Sequence, residues 1–340
     1  MLAEHQHAPA ASKGERAAGG PEPSPRPETL VCIGICTAGR PRLLSKCLAS
    51  LVRQPAPAGH RYALIIVDNE AEPKAQPIVQ AAAVHSQHDL RHVHEPRRGI
   101  SFARNRALEE ALAAGADWVG FIDDDETASS SWLESLLDAA ARYEADVIQG
   151  PVEPRYPEPM PYWALPAAAE HAEGEGMKFA ATGNVLFRAA LIRPDGMGLR
   201  FDEAMSLSGG EDTDFFLRAR QAGARIVYSG EPVVYEEVAP GRLSFRRHMS
   251  AAFRNGANDV YIKRKLYGGI RIFLRRLPQI LLRLLRGTVQ LAASPLFAAF
   301  GQMPFKRRVL AGGRQIFKSL GVLAGLTGFR PRPYRKIDGY

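Results

Sequence analysis

Apolar runs at Leu30–Cys36, Tyr62–Val67 and Trp118–Ile122 each stop at a polar residue, and each precedes a stretch of helical periodicity. Runs of this length and composition read as buried strands. The helical stretches are Pro41–Gln54, Pro73–His85 and Ser131–Tyr143, and Ile100–Ala114 is a fourth. Pro41 suits a first helical turn, where its missing N–H is not needed. Arg91–His94 and Val147–Val152 read as further strands. Strands alternating with helices across short turns predict a parallel α/β sheet. Such sheets bind ligands at the carboxyl ends of their strands. Thr37, Asp68 and Asp123 all fall at such ends, so one crevice can hold all three.

The third run ends in Asp123-Asp124-Asp125. Adjacent carboxylates repel unless a cation or a shared proton offsets them. If the strand pleat continues, Asp123 and Asp125 point the same way and Asp124 points away. Hard oxygen donors in that place suit Mg²⁺ or Mn²⁺, shared with substrate phosphates. An acidic triplet can equally form a solvated turn before the next helix, with Thr127 or Ser129 as N-cap.

Beyond Gln149 the pattern loosens. Arg155–Lys178 carries Pro157, Pro159, Pro161 and Pro166 and is expected to be a loop over the site. Ala180–Phe187 resumes a strand pattern around Thr182-Gly183-Asn184, and Gly209–Asp214 precedes a helix over Phe215–Ala222. Ile226–Tyr228 and Val233–Tyr235 are short strands, and Arg242–Gly256 is a basic helix. The cysteines Cys32, Cys36 and Cys47 have neither zinc nor secreted-disulfide spacing, which fits a reducing cytoplasm. The first 29 residues are rich in Ala, Pro, Gly and Glu and contain no apolar run. They are expected to be disordered, and they read as neither signal peptide nor span.

Charge is distributed unevenly. From Gly241 onward there are 21 Lys/Arg and two acids, a balance of +19, whereas the whole chain carries +8. A basic tail points to an anionic partner. Here the arginines alternate with Leu, Ile and Phe through Ile270–Leu277 and Leu281–Arg286, which favours a membrane surface over nucleic acid. Gly287–Phe305 is free of charge, but Gln290, Ser294, Pro295 and Gln302 make it a poor span. An interfacial helical hairpin is the expectation, against a helical subdomain packed on the body.

Taken in order, Val31–Arg42, Ile65–Asn69, Gly99–Asn105, Phe121–Asp125 and Gly210-Glu211-Asp212 resemble the family 2 glycosyltransferases. The wording of Ile122–Glu126, Thr182-Gly183-Asn184 and Gly209–Thr213 looks most like bacterial exopolysaccharide enzymes of the succinoglycan glucosyltransferase type. The resemblance implies a GT-A fold, Rossmann-like with a mostly parallel mixed sheet, over residues 30–258. A basic amphipathic helical tail, 259–340, would then associate with the membrane. It implies inverting transfer from a nucleotide diphosphate sugar, a UDP-hexose, to a lipid-linked glycan acceptor at the cytoplasmic face of the inner membrane. By the same resemblance, Thr37, Asp68, Arg104, Asn105 and Asp123 lie on the nucleotide side. Asp125 coordinates the metal, with Asp123 on the ribose or a metal-bound water. Asp212, paired with Glu211, is the base that takes the acceptor proton. Many relatives carry a His where this chain has Tyr235-Glu236-Glu237.

Two other classes fit parts of the pattern. Asp123-x-Asp125-x-Thr127 also resembles the nucleophile motif of haloacid-dehalogenase phosphohydrolases, although there it ends the first core strand. A non-catalytic membrane scaffold on the same fold is the third reading.

Overall fold

The computed structural model describes residues 28–157 and 171–333, apart from the side chains of 269–276. The expected N-terminal disorder thus lies almost wholly outside the described residues. So do most of the Pro-rich stretch 155–178 and the Leu/Arg periodicity of 270–276.

The chain opens with β1 (Thr29–Thr37), α1 (Pro41–Leu51), β2 (His60–Asp68), α2 (Gln76–Ala83), β3 (Asp89–His94), α3 (Ile100–Ala113) and β4 (Trp118–Ile122). Then come β5 (Glu126–Ala128), α4 (Trp132–Arg142), β6 (Val147–Gln149), β7 (Val152–Arg155), β8 (Asn184–Arg188), α5 (Glu211–Gln221), β9 (Ile226–Tyr228) and β10 (Val234–Glu237). Three long helices follow: α6 (Phe245–Tyr267), α7 (Gly269–Ala298) and α8 (Gln302–Leu326).

Seven strands form one sheet in the order β3-β2-β1-β4-β8-β6-β9. Only β8 runs against the others, so the sheet is mixed and mostly parallel, as expected. Period-two alternation sorts its side chains into two layers. Val31, Ile33 and Ile35 pack with Leu44, Leu48, Trp132 and Leu136 from α1 and α4. Leu30 and Cys32 face the other way, toward Ala103, Ala107, Phe187 and Phe215, where α3 and α5 lie. Phe121 and Phe187 are fully buried in this second layer with ring centroids 6.3 Å apart. Truncating either to Ala would cost about 3–5 kcal/mol.

The run Val147–Val152, read as one strand, is two. Gly150-Pro151 breaks it, and β7 leaves for a second sheet of order β5-β10-β7. Proline cannot donate to a central ladder, so the chain must leave the sheet there. The strand expected over Ala180–Phe187 starts only at Asn184, because Thr182-Gly183 form a turn.

The basic helix is longer than its sequence pattern predicts. α6 runs unbroken through 258–259, where a boundary between body and tail was expected. α8 packs along α6 at backbone contact distance. A Cβ on Gly256 would sit 2.2 Å from the Lys318 carbonyl oxygen, and only glycine permits that approach. The charge-free run 287–305 is not one helix either, since the turn between α7 and α8 lies inside it. Among the described residues one segment, Leu277–Ala298, is long and apolar enough to cross a membrane by length and composition.

Candidate functional site

β1 and β4 are neighbours in the sheet, and their carboxyl ends open side by side. The chain leaves β4 at Ile122 and turns immediately, with Glu126 N–H donating to the Asp123 carbonyl at 3.1 Å. The pleat therefore does not continue, and the three aspartates separate by surroundings rather than by alternation. Asp123 has a side chain 44% exposed. Asp124 is buried, accepts from Thr37 Oγ1 at 2.6 Å and pairs with Arg40 at 3.1 Å. Burial pushes its carboxyl up to about 7, against the downward pull of Arg40 and the Thr37 hydroxyl. Asp125 is also buried, and both Arg40 and Arg242 reach its Oδ2 at 2.9 Å. Beneath the turn, the buried Glu126 carboxylate accepts from the Asp123 N–H at 2.8 Å.

Arg104, on α3, is buried between two acids. One terminal nitrogen pairs with Glu211 and the other lies 3.4 Å from Asp123. It thus ties the end of β4 to the first turn of α5, so its role exceeds the nucleotide-side one its motif implies.

Two candidates stand elsewhere. Asp68 is buried, and its carboxylate accepts the N–H groups of Lys74 and Ala75 at 2.6 and 2.8 Å just ahead of α2. That is a turn-holding role and leaves it off the cavity wall. Its neighbour Asn69 takes that place, anchoring the loop to α3 through the Glu95 and Arg97 carbonyls and the Gly99 N–H. Asn105 exchanges two hydrogen bonds with the Phe201 backbone, at 3.0 and 2.8 Å, and also stands off the wall. A buried amide paired in this way braces a loop, and one N–H and one oxygen lone pair of Asn105 remain beyond these two bonds.

Gly210 caps α5 at its N-terminus with a φ of +84°, which glycine tolerates. Glu211 is buried beside Arg104. Burial, partly countered by Arg104, raises its carboxyl to about 7. Asp212 is half-buried, and its Oδ1 accepts from the Thr213 N–H at 2.6 Å. Neither acid forms part of the described cavity wall. The turn is held from outside the sheet by Asn258 of α6, whose Nδ2 donates to the Ser208 and Gly209 carbonyls at 3.0 and 2.7 Å.

A cavity of about 820 Å³ lies over these strand ends, large enough for a nucleotide-sized ligand. Thr37, Arg40, Arg104 and Asp123–Asp125 line it, together with residues of α6, Phe317 of α8 and the stretch 331–333. Glu236 and Arg242 join the acidic end, where Arg242 pairs with Glu236 at 2.8 Å. Burial first, and then the charge of Asp125, raise the Glu236 carboxyl. The sequence reading missed Arg40, Asn69 and Arg242. Arg40 stood inside a quoted motif, but Arg242 reaches the acids only because a short turn after β10 returns it.

Among the described residues, no three or more His, Cys, Asp or Glu converge into a metal cage. The donors do suit a hard divalent ion of the Mg²⁺ type, which usually takes one or two carboxylates and fills its shell with water and phosphate. Asp123 lines the cavity, and Asp125 would become available if Arg40 and Arg242 gave way. The hydrolase pattern fits less well. β4 is the fourth strand, Asp125 is clamped by two arginines, and Thr127 lies in β5, paired with Tyr235 of β10.

The sequence model of glycosyl transferase family 2 matches residues 32–206. The succinoglycan biosynthesis protein ExoM of Rhizobium meliloti is 37% identical over 240 residues, covering 67% of this chain and 74% of that protein. A pre-mycofactocin glycosyltransferase of Mycobacterium tuberculosis is 31% identical over 182 residues, covering 50% of this chain and 36% of that protein. Among solved structures, S. aureus TarS 1-349 in complex with UDP-GlcNAc superposes with a TM-score of 0.52. The match is 15% identical and covers 88% of this chain and 92% of the other, a likeness of fold.

Proposed function

The chain belongs to glycosyl transferase family 2, and from that premise we propose that it moves a hexose from a UDP-sugar to a lipid-linked glycan acceptor. The setting is exopolysaccharide or cell-surface polysaccharide synthesis at the cytoplasmic face of the inner membrane. The observation that carries this reading is the cavity over the strand ends, lined by Asp123–Asp125 and large enough for a nucleotide-sized ligand. The UDP-GlcNAc bound to TarS and the succinoglycan role in ExoM's name lend support.

In this reading Thr37 and Arg40 hold the Asp123–Asp125 turn so that Asp123 faces the donor. A divalent ion on Asp123 and Asp125 would screen the charge of the leaving diphosphate. Asp212 takes the proton from the acceptor hydroxyl while that oxygen bonds to C1 of the sugar and the C1–O bond to the diphosphate breaks. Arg104 positions Glu211, and with it the first turn of α5. The exposed apolar faces of α7 and α8 rest on anionic lipid.

The test separates donor binding from transfer. UDP should raise the melting temperature, more so with Mg²⁺ or Mn²⁺, by mass action. Asp212→Asn should keep that shift and lower transfer by at least ~10²-fold. Equal losses of binding and turnover would remove Asp212 as the base.

A further inference from the structure

Six of the seven arginines of the cavity, Arg247 apart, fall into two groups. Arg40, Arg104 and Arg242 are neutralised by the three aspartates, Glu211 and Glu236. Arg98, Arg254 and Arg332 also line the cavity, and none of them has an ion pair among the described residues. They come from three distant segments: the loop before α3, the middle of α6 and the stretch after α8. Bringing unneutralised guanidinium groups to one concave wall costs repulsion, which a bound anion would turn into attraction. Guanidinium groups match phosphate oxygens in charge and in fork geometry.

The same wall is apolar beside these charges. Phe253 and Phe317 line it. Phe317 is 39% exposed, and Leu320, one helical turn further along α8, is 42% exposed. An apolar strip therefore leads from the arginines onto the outer face of α8.

Resting on the transferase reading above, we propose that this wall is a second phosphate subsite, separate from the Asp123–Asp125 end. It takes the phosphate or diphosphate that joins an acceptor glycan to a long apolar carrier, and the carrier chain follows the Phe317–Leu320 strip.

Calorimetry on the full chain tests it with farnesyl diphosphate, inorganic pyrophosphate, farnesol and UDP with Mg²⁺. Farnesyl diphosphate should bind with or without saturating UDP, and more tightly than pyrophosphate or farnesol. Arg254→Gln and Arg332→Gln should each weaken it about tenfold or more, as for a lost charge-assisted hydrogen bond. Both variants should bind UDP as the parent does. Arg332 is exposed, so its replacement does not threaten the fold. Competitive displacement by UDP would mean a single anion site, the donor's. Pyrophosphate binding as tightly would assign a free anion, and farnesol binding as tightly a merely apolar strip. Unchanged affinity in both variants would also overturn the proposal. Failure of UDP to bind would count against the transferase reading, and the farnesyl diphosphate arm would still decide the subsite.

Discussion

Arg104 reaches Asp123 at 3.4 Å with one terminal nitrogen and holds Glu211 with the other. One buried cation thus joins the turn that ends β4 to the turn that starts α5. Removing it strands a buried carboxylate. Arg104→Gln should lose about 3–5 kcal/mol of stability above pH 7, the usual cost of breaking a buried pair from one side. Adding Glu211→Gln to that variant should recover much of the loss. Urea unfolding of both variants checks this, and no recovery would mean that Arg104 acts through packing.

The same acid predicts a pH dependence. Glu211 is raised to about 7 from a usual 4.5, chiefly by burial. Between those values the folded chain keeps a proton that the unfolded chain has released. Its contribution is therefore complete below about pH 4.5, declines as pH rises, and is lost above about pH 7. Glu211→Gln should flatten the fall in urea midpoint across that window. An unchanged slope would place the titration on another group.

Asp124 and Asp125 should fail differently. Asp124 holds Thr37 and Arg40 inside the fold, so Asp124→Asn should lower the melting temperature more than it lowers UDP affinity. Asp125→Asn should remove the metal-dependent part of UDP binding and, by taking the partner from Arg40 and Arg242, also lower the melting temperature. Equal calorimetric losses in the two variants would overturn the division.

Helix α8 is seated without slack. A Cβ on Gly321 would come 1.9 Å from the Phe253 carbonyl oxygen. Gly321→Val must push the helices apart, at about 1–3 kcal/mol or more. Thermal unfolding reads the cost, and a melting temperature equal to the parent's would show that α8 is loosely held.

The tail should bind anionic vesicles through two terms. The +19 charge carried from Gly241 onward is screened by salt, with a Debye length of about 8 Å at physiological strength. Exposed Leu281, Leu285, Val289, Leu296 and Phe300 add an apolar term that salt does not screen. High salt should therefore release the full chain only in part. Resistance to both salt and alkaline carbonate would favour a crossing by Leu277–Ala298.

Local pattern carried the sheet. The ends of β1, β2 and β4 are legible because buried strands are continuous apolar runs that stop at polar residues. Side-chain partners were not legible in the same way. Asp68 and Asn105 fit their motifs, but their hydrogen-bond partners, the approach to α2 for the one and Phe201, 96 residues away, for the other, follow from no local pattern. Arg254 and Arg332 share a wall only because α6 and α8 pack together, and no spacing encodes that. The break between β6 and β7 was readable, since Pro151 stands where a central strand needs a donor.

Helix α6 is one rod with two attachments. Asn258 grips the Gly209 carbonyl at 2.7 Å, and Gly256, two residues earlier, receives α8. Chimaeras that exchange tails between relatives should therefore be joined before Phe245 or after Gly268. A junction at 258 would ask two unrelated half-helices to keep one rotational phase, and an error of a single residue would turn Asn258 about 100° away from the loop it holds.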